Sequence, residues 1–226
     1  MCGIAGYITR KKYSNYSYKE TKNKLRKLMF RRGPNQQGSL NYNTNNFSIN
    51  LFSSRLSIID LDKRADQPFK SEDSVLIFNG EIYNFLEIKE FLKTKKIKFI
   101  TNSDTEVLLK AYQFWGEKCV DHFDGMWAFC IFNKRKNYIF ISRDNFGEKP
   151  LIYYHDYNNF VFGSEIKYIK NILGDDYNPE LNQKKVNDYL FKGYKSLNKN
   201  NETYFKNIYK LEPGSNLIFN LKNFKL

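Results

Sequence analysis

Met126-Trp127-Ala128-Phe129-Cys130-Ile131-Phe132, a polar turn, then Tyr138-Ile139-Phe140-Ile141-Ser142 is the stretch that decides the fold. Two apolar runs of strand length around a short polar break read as a β-hairpin. The first run is apolar at every position, so it belongs between two layers rather than on a wet face. A second hairpin follows, residues 151–154 and 160–163 around 156–159. Upstream, residues 2–9 form a short, glycine-punctuated apolar strand. Phe47, Ile49 and Leu51 alternate with polar residues as a half-buried strand, and residues 74–78 make another that ends abruptly at Asn79-Gly80.

Helix signals fall between these strands. Ser17 and Glu20 make the Ser-x-x-Glu capping box of a basic helix running to about Phe30 and stopped by Gly33-Pro34. Asn84 and Glu87 open a helix whose Ile88, Phe91 and Leu92 share a face. Ser103 and Glu106 repeat the capping box ahead of Leu108, Ala111, Tyr112 and Trp115, with Gly116 as the stop. Helices that cluster between groups of hairpin strands predict an α+β fold with antiparallel sheets, not a doubly wound parallel one. From Asn178 the chain reads as an appendage, with a helix near residues 184–191 and strands near the end. The expected division is therefore 1–177 and 178–226.

The 226 residues are 41% hydrophobic and 17% aromatic, enough for a substantial core and against wholesale disorder. The longest strongly apolar run, 126–132, is far short of the roughly 18 residues of a membrane span. No basic stretch, apolar segment and cleavage site open the chain as a secretory signal, so no membrane association is expected. Lys and Arg number 37 against 24 Asp and Glu, a net charge of +13. These cations are spread from Arg10 to Lys225 amid abundant Asn, Ile, Tyr and Phe, the mixture an A/T-rich genome produces, so no nucleic-acid partner is expected. Three cysteines without a Cys-x-x-Cys pair point to a reduced, cytoplasmic protein. His122 and His155 lack metal-ligand spacing, which disfavours a zinc site or a Ser-His-Asp triad. Neither G-x-G-x-x-G nor G-x-x-x-x-G-K-[ST] occurs, so the common nucleotide fingerprints do not apply.

Chemistry then falls to Cys2. Met1 followed by a small residue is the arrangement from which the initiator is removed. Removal leaves a thiol and an α-amine on one residue. An amine with a pKa of about 7.7–8.0 is partly neutral near pH 7 and can serve as general base for its own side chain, directly or through a water. The thiolate is the attacking species, and a thiol pKa of about 8.5 leaves modest activation to supply. On its own, Cys2 reads first as a small apolar residue opening a buried strand.

Further segments change that balance. Cys2-Gly3-Ile4-Ala5-Gly6, Arg32-Gly33-Pro34, Arg55-Leu56-Ser57-Ile58-Ile59-Asp60, Asn79-Gly80-Glu81-Ile82-Tyr83-Asn84 and Ser103-Asp104-Thr105-Glu106 occur in that order. Arg143-Asp144-x-Phe146-Gly147-x-Lys149-Pro150-Leu151 and Ser164-Glu165-Ile166-Lys167 follow. Together they resemble the glutaminase domain of glutamine-hydrolysing asparagine synthetases, class II amidotransferases with the N-terminal-nucleophile fold. The resemblance covers essentially the whole chain. It implies a four-layer αββα sandwich of two mainly antiparallel sheets, with Cys2 attacking the amide of glutamine to form a γ-glutamyl thioester.

By the same resemblance, the side-chain NH₂ of Asn79 and the backbone N–H of Gly80 form the oxyanion hole. Arg55 binds the α-carboxylate, Asp104 with Glu81 receives the α-ammonium, and Leu56, Ser57, Ile58 and Ile59 line the pocket. Each has a plainer reading: an Asn-Gly turn, a surface arginine, a helix-start aspartate. The Arg143-to-Leu151 segment reads as structural or interdomain, and Cys119 and Cys130 as buried hydrophobes. The family's His-Arg-Gly-Pro-Asp appears as Arg31-Arg32-Gly33-Pro34-Asn35, which puts local hydrogen bonding in question. No cofactor is implied for the glutaminase. ATP and Mg belong to a synthetase domain whose Ser-Gly-Gly-x-Asp-Ser loop is absent from these residues. The implied partners are glutamine and that synthetase domain or subunit, and a homodimer is left open. Two other readings stand beside this one: a glutaminase module serving another carboxylate or sugar acceptor, and a non-catalytic basic binding module on the same scaffold.

Overall fold

A computed structural model describes residues 1–10, 17–175, 177–196 and 200–226. Strands β6 (Gly125–Asn133) and β7 (Tyr138–Arg143) pair as the expected hairpin. The elements that precede them are β1 (Gly3–Arg10), α1 (Tyr18–Met29), β2 (Gln36–Asn43), β3 (Phe47–Arg55), β4 (Phe69–Lys70), β5 (Ser74–Ile82), α2 (Phe85–Thr94) and α3 (Asp104–Trp115). After them come β8 (Ile152–His155), β9 (Asn159–Gly163), α4 (Ile166–Leu173), α5 (Gln183–Lys192), β10 (Ile208–Lys210) and β11 (Asn216–Asn220).

β6 explains the layering. Its Ala128, Cys130 and Phe132 enter one apolar core while Trp127, Phe129 and Ile131 enter another. One sheet runs β11-β7-β6-β5-β4 and the other β10-β8-β9-β1-β3-β2, with antiparallel pairs throughout. Between them, Ile4, Ile8, Ile49, Leu51 and Phe160 of one sheet meet Val75, Ile77 and Phe219 of the other. Ile88, Leu92 and Leu108 of α2 and α3 cover the outer face of the β6 sheet. Leu25, Met29, Ile169 and Ile172 of α1 and α4 cover the other sheet, against Ala5, Tyr7 and Phe52. Helix, sheet, sheet, helix is the α+β sandwich anticipated above, and two-sided burial is why its inner strands lack clean alternation.

Several local expectations change. β5 does not stop at Asn79-Gly80 but continues to Ile82, because Asn79, Gly80, Glu81 and Ile82 pair with Ala128, Trp127, Met126 and Gly125. Tertiary pairing overrides the turn preference of Asn-Gly. β3 is buried on both faces rather than half-buried, since α1 packs on the side away from the inner core. Phe91 is 43% exposed and stacks on Trp115 instead of entering the core. The Asn84 side chain does not cap α2; it bridges the His122 carbonyl and the Asp124 N–H.

The capping box at Ser17 accepts the Glu20 N–H at 3.4 Å. At Ser103 the hydroxyl accepts from Thr105, while the Glu106 carboxylate turns back to the N–H groups of Ile100 and Thr101. The 178–226 segment, expected as an appendage, supplies one edge strand of each sheet, and Phe219, Leu221 and Phe224 lie in the inter-sheet core. Among the described residues no helix is long and apolar enough to cross a membrane.

Candidate active site

At the end of the sandwich where β1 begins, a cleft of about 170 Å³ is lined by Cys2, Arg55, Leu56, Ile58, Ile59, Asn79, Gly80, Glu81 and Asp104. Each was anticipated from sequence. They converge because β1 and β3 are neighbours in one sheet, β5 faces them from the other, and the α3 N-terminus abuts the end of β5.

The Cys2 thiol accepts the Leu56 N–H at 3.3 Å and lies 3.7 Å from the Leu56 carbonyl. Burial raises its pKa above the ordinary thiol value, and Asp104 pushes the same way. The Leu56 N–H, the N-terminal ammonium and Arg55 pull in the opposite direction without prevailing. With Met1 in place the thiol is therefore protonated at neutral pH, and Met1 itself, 62% exposed, lies along the cleft.

β5 presents two donors. Asn79 is 1% exposed, and its Nδ2 has no hydrogen-bond partner among the described residues. Strand alternation puts its side chain on the inner face with Val75 and Ile77. Across the ladder, Trp127 turns both its N–H and its C=O toward Asp144, so Gly80 and Trp127 are a non-hydrogen-bonded pair. The Gly80 N–H consequently points to the edge of β5 that β6 leaves free. On that edge the N–H of Phe78 goes to Gln67 Oε1 at 2.7 Å and that of Ile82 to Asp104 Oδ2 at 3.2 Å, with Gly80 between them. A Cβ at Gly80 would fall 2.2 Å from the Met126 carbonyl oxygen, so only glycine permits this approach.

Arg55 and Asp104 carry opposite charge on the cleft wall. The Arg55 guanidinium is not free to grip with its whole fork: Nη1 pairs with Asp66 at 3.2 Å, and Nη2 donates to the carbonyls of Ile59 and Asp60. It braces the 59–66 loop, and its Nε–H makes no hydrogen bond among the described residues. Asp104, 5% exposed, has its carboxyl raised to about 6 by burial, with Glu81 adding to the rise. The N–H groups of Ile82 and Thr105 and the Ser103 hydroxyl oppose that rise. Glu81 lines the cleft without a hydrogen bond among the described residues.

Ser57 departs from expectation. It does not line the cleft, and its N–H is taken by Asn35 Oδ1 at 3.0 Å. An amide oxygen accepts that bond as a carboxylate would. Arg31 is exposed. Sequence reasoning missed Gln67, Met126 and Lys149, which also line the cleft. Lys149 is 7% exposed, and its ammonium makes no hydrogen bond or ion pair among the described residues. Its neighbours in sequence behave otherwise: the Asp144 carboxylate accepts four N–H groups, and Arg143 donates to three carbonyls. Cys119 and Cys130 are fully buried, with thiols raised by desolvation.

A family model described as "Glutamine amidotransferase domain" matches residues 1–226. The chain belongs to the glutamine amidotransferase domain family. A Methanocaldococcus jannaschii protein provisionally named asparagine synthetase (glutamine-hydrolyzing) 2 is 39% identical, over 98% of this chain and 44% of its own length. Asparagine synthetase (glutamine-hydrolyzing) 3 of Bacillus subtilis is 34% identical over 75% of this chain and 27% of its own. The chain thus spans less than half the length of these relatives. In structure it is similar to a glutamine phosphoribosylpyrophosphate amidotransferase from Bacillus subtilis, with TM-score 0.67 and 18% identity over 98% of this chain and 48% of that one. That likeness shows the N-terminal-nucleophile sandwich fold of this amidotransferase domain.

Proposed function

We propose that this amidotransferase domain hydrolyses glutamine to glutamate and ammonia through a thioester on Cys2. The observation that carries the reading is the buried, unpartnered Asn79 Nδ2 in the same cleft as the Cys2 thiol. An unsatisfied buried donor costs about 1–3 kcal/mol, a cost relieved when a ligand supplies the acceptor.

Once Met1 is removed, the α-amine of Cys2 takes the thiol proton and sulfur attacks the amide carbon. The C=O electrons move onto oxygen, where the Asn79 Nδ2–H and Gly80 N–H receive them. Each such donor is worth about 3–4 kcal/mol in the transition state. Collapse breaks the C–N bond, the amine returns the proton to nitrogen, and ammonia leaves. Water then attacks the thioester by the same route and releases glutamate. At the far end of the substrate, Asp104 with Glu81 meets the α-ammonium. The α-carboxylate meets the unengaged Nε–H side of Arg55, and Leu56, Ile58 and Ile59 give the walls.

The ammonia serves ATP-dependent asparagine synthesis from aspartate, performed by a synthetase half outside these residues. The names and greater lengths of the relatives support that assignment. This half-reaction uses no cofactor; ATP and Mg act in the synthetase half. The test is glutamate release by protein whose free Cys2 is verified by intact mass, beside Cys2→Ala. Turnover that vanishes in the variant supports the reading. Equal turnover in both, or none in the verified wild type, contradicts it.

A further inference from the structure

Ser164-Glu165-Ile166-Lys167 takes no part in the chemistry above, yet it holds the nucleophile strand from two sides. Ser164 exchanges both its groups with Ile4: its N–H donates to the Ile4 carbonyl at 2.9 Å, and its hydroxyl accepts the Ile4 N–H at 3.1 Å. Two residues nearer the terminus, Arg32 Nε donates to the Cys2 carbonyl at 2.8 Å. Arg32 is itself held by Glu165, whose Oε1 lies 3.2 Å from Nη1. Glu165 accepts the Tyr168 hydroxyl on the same oxygen at 3.1 Å and pairs through Oε2 with Lys167 at 2.6 Å. The Tyr168 ring is fully buried in the outer core of the β1 sheet. A rigid helix end is thereby tied to the carbonyl of the nucleophilic residue.

Cys2 needs such a tie. It lies outside β1, one residue before the first ladder pair, Gly3 with Ser54, so sheet hydrogen bonds do not fix its orientation. Among the described residues its hydrogen bonds join the thiol to the Leu56 peptide and the carbonyl to Arg32. The two hold opposite ends of one residue, and together they set where the sulfur sits relative to Asn79 and Gly80. A guanidinium anchored only to a carbonyl would swing on its long stem; the Glu165 carboxylate, braced by Tyr168 and Lys167, removes that freedom.

We propose that Glu165 is a positioning residue for Cys2, acting through Arg32. It touches neither substrate nor reacting atoms. The inference rests on the reading of Cys2 as the nucleophile. Because Glu165 fixes the sulfur and makes no contact with the glutamine backbone groups, its loss falls on kcat and leaves KM nearly unchanged. A misplacement of about 1 Å can cost on the order of a hundredfold in rate.

The experiment measures glutaminase kcat and KM, melting temperature, and the pH dependence of Cys2 alkylation by iodoacetamide. It does so on Met1-free wild type, Glu165→Ala, Glu165→Gln, Arg32→Ala and the double alanine variant. Glu165→Ala is expected to lower kcat about ten- to a hundredfold with KM within about threefold, and to shift the alkylation profile. Glu165→Gln keeps an oxygen for Arg32 and Tyr168 and should restore most of the rate. The double variant should fall no further than Arg32→Ala alone, because the two act in series. Wild-type kcat and an unchanged alkylation profile in Glu165→Ala would overturn the proposal. So would additive losses, or a loss in Glu165→Gln equal to that in Glu165→Ala. If Glu165→Ala does not fold, the Glu165→Gln and Arg32→Ala data decide on the same criteria. Failure of the wild type to release glutamate would instead overturn the glutaminase reading and leave the alkylation profiles as the measure of positioning.

Discussion

Two regions bury charge within a few residues of one another, and they do it in opposite ways. At the end of β7, Asp144 is fully buried, and its carboxylate accepts the N–H groups of Trp127, Phe146, Glu148 and Lys149. Arg143 beside it engages all three guanidinium nitrogens, donating to the carbonyls of Lys149, Gly147 and Leu211. In the cleft, by contrast, Asn79 Nδ2, the Gly80 N–H, the Lys149 ammonium and the Glu81 carboxylate have no hydrogen-bond partner among the described residues. The lesson is that burial alone does not mark a site. A buried polar group with every partner present ties backbone together, while one left short of partners on the wall of a cleft is open to a ligand.

The comparison breaks first at Asp144. Asp144→Ala strands four backbone donors, so it should destabilise the fold by about 3–5 kcal/mol in denaturant melts. Mild destabilisation with selective loss of glutamine turnover would move Asp144 into the functional group.

The next largest effect belongs to Asp104. A carboxyl raised from 3.8 to about 6 has a folded-state pKa above its unfolded one. The stability it contributes is full below pH 3.8 and lost as pH rises through about 6, so the ionised group costs up to about 3 kcal/mol at neutral pH. Asp104→Asn should therefore raise the melting temperature above pH 6 while raising KM for glutamine at least tenfold. A lower melting temperature at pH 7.5 would contradict this account of Asp104.

A smaller pH effect follows in the wild type. The substrate ammonium favours the ionised carboxylate, so KM should climb about tenfold for each pH unit below about 6. A KM flat from pH 7 to pH 5 would remove Asp104 from substrate binding. Smallest is thiol selectivity. Brief iodoacetamide treatment of folded, Met1-free protein should label Cys2 alone, since Cys119 and Cys130 are fully buried. Labelling at either of those two in peptide mapping would show that the native core opens.

Much of the scaffold is legible in the chain. The two-sided apolar run of β6 announces a strand between two layers, and Ser17, Ser103 and Gly116 mark helix ends the structure keeps. What escapes is set by distant partners. Asn79-Gly80 carries the local signature of a turn, and only β6 makes it strand. The final strands look peripheral because their pairing partners, β8 and β7, lie far back in the sequence. Cleft residues named through motifs converge, apart from Ser57, which a backbone bond to Asn35 draws aside. Lys149 could not be separated from Arg143 and Asp144 by sequence, because all three are charged and only the fold reveals which are saturated.

Asn79 tests the central claim most directly. Glutaminase kcat and melting temperature should be measured together for Met1-free wild type and Asn79→Ala. An orphaned donor that serves the transition state predicts a loss of about 100- to 1000-fold in kcat with a melting temperature unchanged or raised. A fallen melting temperature with kcat preserved would show Asn79 to be a structural residue like Asp144, and would contradict the assignment of the cleft.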